Sequence, residues 1–126
     1  MRKISLIAGI LILFASSVWA AVAELDSDLM QAVEDVNKSM ASNIALKDKK
    51  GSLSDATELS SMFAEIEHFY VSKGDADDAV KLSRKSRELV ADILKSVNGG
   101  DFDHATNLAT DLSRTCKSCH NFYKKS

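Results

Sequence analysis

The sequence predicts an all-α fold, an antiparallel up-down-up-down four-helix bundle. Three observations lead there. No proline occurs in 126 residues, the glycines fall at only four places, and the segments between them repeat apolar residues every three or four positions. In the first segment Leu25, Leu29, Met30, Val33, Met40 and Ile44 share one helical face. The turn Lys47-Asp48-Lys49-Lys50-Gly51 ends it, with basic residues where the helix dipole is negative. The second segment is expected to start at Ser54 or Asp55, with Asp55 and Glu58 spaced as a capping box. Its apolar face is Leu59, Met62, Phe63, Ile66, Phe69 and Tyr70, and Gly74 breaks it. Acidic residues between 75 and 78 open the third, which turns Ala79, Leu82, Leu89, Val90, Ile93 and Val97 inward. Asn98-Gly99-Gly100 stop it as a glycine C-cap does, and Asp101 caps the fourth. There Phe102, Ala105, Leu108, Ala109, Leu112 and Cys116 repeat. Val and Ile stand singly within helical patterns, so nothing reads as a strand. Helices of roughly 15–25 residues are ~22–37 Å long, matched well enough to bundle, and such bundles place cofactors between facing helices.

Residues 1–23 have the layout of a secretory signal peptide: Arg2 and Lys3, an apolar run from Ile4 to Phe14, then small residues ending Ala21-Val22-Ala23. Cleavage is expected after Ala23, leaving 24–126 as the working domain. The rival reading, an uncleaved anchor, needs ~20 apolar residues, and this core is shorter. The expectation is therefore export with no stable membrane anchor after cleavage. Without Arg2 and Lys3, 14 basic residues face 18 acidic ones, a net charge near −4. That gives no basic face for nucleic acid. A mildly acidic surface suits a basic redox partner protein, whose identity charge alone does not give.

The chemistry lies in Cys116-Lys117-Ser118-Cys119-His120, which holds both cysteines of the chain. On a helix, Cys116 and Cys119 at i and i+3 share a face, and His120 at i+4 joins them. Two thiols can then add to the vinyl groups at one porphyrin edge while the imidazole reaches the iron. C-x-x-C-H is the c-type haem attachment pattern. A thiol redox site expects a βαβ context and a helix N-terminus, a structural zinc needs four ligands, and a disulfide this short would stabilise little. The reading is one covalent haem c.

At these residues the chain resembles the cytochrome c-prime family of four-helix-bundle c-type cytochromes, including its low-spin Met/His relatives. The resemblance covers nearly all of 24–126 and is most specific from Asn98-Gly99-Gly100-Asp101-Phe102-Asp103 through the motif to Tyr123 and Lys124. It implies His120 as the proximal ligand, with Tyr123 and Lys124 near the haem. It also implies a bacterial, periplasmic electron carrier and not a substrate-converting enzyme. A homodimer through the first two helices is a further arrangement the resemblance allows, although the outward faces carry no unusually apolar stripe.

The sixth iron position separates two roles. Met30 is the candidate distal ligand, putting Val33, Met40 and Ile44 at inward positions; His/Met ligation favours electron transfer. The alternative register puts Ala32 or Val33 there and leaves a five-coordinate, high-spin haem open to nitric oxide or carbon monoxide. Met40 and Met62 read as core filler. His68 is read as a surface or backbone-bonded histidine, and His104 is nearly four turns from Cys116, too far to reach the same iron. The family's arginine near a propionate has no counterpart, since 24–28 holds no basic residue.

Overall fold

Four helices follow one another with little chain between them: α1 (Ser27–Ala45), α2 (Lys49–Lys73), α3 (Asp77–Asn98) and α4 (Phe102–Lys125). The structure, a computed structural model, describes residue 25 and residues 27–125, with side chains through residue 121. The expected leader, 1–23, lies outside the described residues. Among the described residues there is no strand, and no helix is long and apolar enough to cross a membrane. α2 packs on α1 and α3, and α4 packs on α3 and α1, so the helices close around one core.

That core follows the periodicity. Met40, Ile44, Leu59, Ile66, Ile93 and Leu112 are fully buried, each side chain contributing about 1.5–3 kcal/mol relative to exposure. The stripe has polar exceptions. On α1 the buried positions run Val33, Asn37, Met40, Ile44, and on α3 Ser83 and Ser86 stand between Ala79 and Val90. Leu82 and Leu89, expected inward, are only half-buried; the serines beside them take the inner positions.

The α1–α2 and α3–α4 junctions are built alike. After α3, Gly100 N–H donates to Val97 O and Asp101 N–H to Ser96 O, with Gly100 at φ 78°. After α1, Lys47 N–H donates to Ile44 O and Asp48 N–H to Asn43 O, with Lys47 at φ 56°. Both are Schellman closures, in which a left-handed residue lets the chain satisfy the last carbonyls. The next aspartate then starts the following helix. Asp101 Oδ1 accepts from His104 N–H and Asp48 Oδ1 from Gly51 N–H, both at 3.0 Å. Asp101 is thus the cap the sequence predicts.

The predicted start of the second helix at Ser54 or Asp55 is corrected to Lys49, capped by Asp48. Asp55 is drawn away from capping, because its Oδ2 accepts from Asn43 Nδ2 at 2.8 Å. Gly51 is a first-turn residue of α2 and not a helix stop. A Cβ there would lie 2.7 Å from Asp48 Oδ2 and 2.8 Å from Asn43 Nδ2. Lys49 Nζ reaches Asn98 O at 3.0 Å, so both junctions occupy the same end of the molecule.

Candidate functional site

The end away from the junctions carries a cavity of about 370 Å³, within the range of small-molecule sites. With its open mouth counted, the free space is about 1050 Å³. Its origin is the set of polar exceptions just described. Where the bundle would carry bulky apolar residues, α3 offers Ser83 and Ser86, and α1 offers Asn37. The serines bury cheaply because their hydroxyls donate to Val80 O and Leu82 O within α3, both at 2.9 Å. They are too small to fill the space.

Cys116, Cys119 and His120 line this cavity from α4, and Met30 lines it from α1. The four candidate ligands and attachment residues are therefore brought together. Both cysteines are free thiols and half-buried, Met30 is half-buried, and His120 is exposed at the mouth. Val33, Phe63 and Ile66 give the wall an apolar face. Burial, and then the neighbouring Cys119, push the Cys116 thiol up to about 11; burial also raises Cys119.

Other candidates fall elsewhere. Met40 is fully buried in the core and does not line the cavity, and Met62 packs against the core from a half-buried position. His68 is exposed. His104 is exposed beside a separate hollow with Asp92 and Lys95. Tyr123 and Lys124 belong to the backbone of α4, but their side chains lie outside those described. Among the described residues no three His, Cys, Asp or Glu side chains cluster to hold a metal.

The rim holds residues that motif reading missed. Glu34, Lys38 and Lys117 border the cavity. Lys38 Nζ lies 2.8 Å from Glu34 Oε1, an i,i+4 pair that lowers the glutamate and raises the lysine. Deeper in, Asn37 Nδ2 donates to Ser113 Oγ at 3.2 Å, while Asn37 Oδ1 is buried without a partner. Asn37 stands between Val33 and Met40 in the α1 stripe, and only its burial tells it apart from a surface residue.

The residues present fit a covalently held haem: two thiols and an imidazole on one side, a thioether facing them, apolar walls, and an orphaned buried amide. Known proteins add no identification, since no family model, no curated protein and no solved structure matches the chain.

Proposed function

We propose that this chain is an exported c-type cytochrome that transfers electrons through one haem, held by Cys116, Cys119, His120 and Met30. The observation that carries the reading is the convergence of these four residues, from opposite ends of the sequence, on one cavity. Cys116 and Cys119 would bind the vinyl carbons as thioethers, and His120 and Met30 would supply the axial nitrogen and sulfur. The bound group supplies a one-electron ferric/ferrous couple. The protein's part is to fix the ligands and keep the group largely out of water. Imidazole–thioether ligation raises the potential and leaves no open coordination site.

The resemblance to cytochromes c-prime supports the same reading, as does the arrangement of the helices. Shared junctions at one end, with Met30 early in α1 and His120 late in α4 at the other, accord with an antiparallel up-down-up-down run. A periplasmic location follows from the leader-like residues 1–23 together with the motif, because this haem is attached outside the cytoplasm.

Val33, one turn from Met30, lines the same cavity and favours a second reading. With Val33 over the iron the haem would be five-coordinate and would take up nitric oxide or carbon monoxide. One preparation, made with a cytochrome c maturation system, separates the two. Haem staining that survives denaturation is expected from the matured protein; its absence defeats both readings. The reduced spectrum should be low-spin, and Met30→Ala should convert it to high-spin with carbon monoxide now binding readily. A wild type already high-spin and open to carbon monoxide would establish the second reading.

A further inference from the structure

We propose that the Asn37–Ser113 hydrogen bond is a register pin between α1 and α4, and that this register sets Met30, and not Val33, over the iron opposite His120. The inference rests on the haem reading and deepens it by naming what positions the distal ligand. Asn37 is 8% exposed and interrupts the buried run of Val33, Met40 and Ile44 on α1. Its Nδ2 donates across the seam to Ser113 Oγ at 3.2 Å, and its Oδ1 is buried without a partner. An amide left half-satisfied in an apolar stripe costs stability that a leucine would not. What it supplies instead is alignment. A single buried asparagine between packed helices selects one axial register, since any slide strands it among apolar side chains.

On the antiparallel run proposed above, stepping back along α1 and forward along α4 moves in the same direction. Met30 precedes Asn37 by seven residues, and His120 follows Ser113 by seven. Seven residues are about 10.5 Å and close to two turns on either helix, so both remain on the faces that meet at the pin. Met30 and His120 then stand level, as axial ligands of one iron must. By the same spacing Glu34 stands level with Cys116, and the Glu34 charge is felt at that thiol. Val33 falls level with Lys117, three residues short of His120. Bringing Val33 over the iron needs α1 to slide by about 4.5 Å. That slide would set Asn37 against Cys116, at the edge that takes the thioether, and the fully buried Met40 against exposed Ser113. Both pairings are poor, whereas the Asn37–Ser113 bond is made.

The test uses the matured holoprotein. Asn37→Leu removes the bond from α1, and Ser113→Ala removes it from an exposed position on α4. Both should keep covalent haem by the denaturing stain; should Asn37→Leu fail to, Ser113→Ala carries the test alone. In the reduced wild type, carbon monoxide must wait for Met30 to leave the iron. Loss of a hydrogen bond of ordinary net worth should raise the Met30-off fraction, and with it the rate of carbon monoxide uptake, by about 2–12-fold. The double variant should add little to either single one, since the same bond is lost in each. A low-spin wild type whose uptake is unchanged in either haem-loaded variant overturns the register pin and leaves Met30 as ligand. Effects that multiply in the double variant overturn it too. A wild type that carries haem but is high-spin defeats the Met30 reading and this inference with it. Failure of the wild type to attach haem is read separately by the stain and defeats the parent reading.

Discussion

Lys47 and Gly100 occupy equivalent positions in two equivalent turns, and only one of them is the residue the turn prefers. A left-handed backbone costs an L-residue about 1–2 kcal/mol, a cost glycine escapes. Lys47→Gly should therefore raise stability by about 0.5–1 kcal/mol, after allowing for glycine's greater chain entropy. Gly100→Ala should lower it by about 1 kcal/mol from the backbone alone, because an added Cβ meets nothing within 4 Å. Urea midpoints with unchanged slopes would check both. The pair also marks how far single residues could be read. Asp101 was legible as a cap because glycines precede it. Asp48 was not, because the left-handed residue before it is a lysine that carries no turn signature. At the site, Cys116, Cys119 and His120 were legible from bond-forming chemistry at fixed spacing. Asn37, Ser83 and Ser86 were not, since small polar residues in a helix declare a role only once their burial is known.

Between elements, α2 and α3 are tied by one carboxylate. Glu67 Oε1 accepts from Arg84 Nε at 3.1 Å, and Oε2 from Arg87 Nη1 at 2.7 Å, the arginines lying close to one turn apart. The glutamate side chain is 13% exposed and the arginines far more so, which moderates the interaction through solvent. The Arg87 hydrogen bond, with Arg84 in support, holds the Glu67 carboxyl below the usual carboxylate range. A lowered folded-state pKa gives stability that is present above the unfolded value and is lost as pH falls through the folded one. Glu67→Gln should thus cost about 0.5–1 kcal/mol at neutral pH. Chemical denaturation of both proteins should show that difference shrinking in acid, below the ordinary glutamate pKa of about 4.3. Four helices and their order were legible because apolar spacing and glycine position are local properties. The partnership of Glu67 with α3 was not, because nothing in a helix sequence names the residue facing it across a gap.

The whole molecule is asymmetric from end to end. Two short junctions, cross-linked by Lys49 and Asn98, close one end. The cavity opens the other, between α1 and α4, which share the smallest of the four main helix interfaces. This asymmetry was invisible in the sequence, where Met30 and His120 are simply distant. It makes the bundle a pair of tongs, with its pivot at the junctions and its jaws at Met30 and His120. Jaws that gripped the proposed haem would be stiffened by it, whereas the pivot is held by its own closure and capping hydrogen bonds. Hydrogen exchange on haem-free and haem-loaded protein should then differ chiefly in the amides near Met30 and in the last turns of α4. The amides flanking Asp48 and Asp101 should exchange alike in both forms. An equal gain of protection at both ends would mean that the bundle tightens as one body. Confined to the jaws, it would mean that a chain taking up haem as proposed is already shaped to receive it.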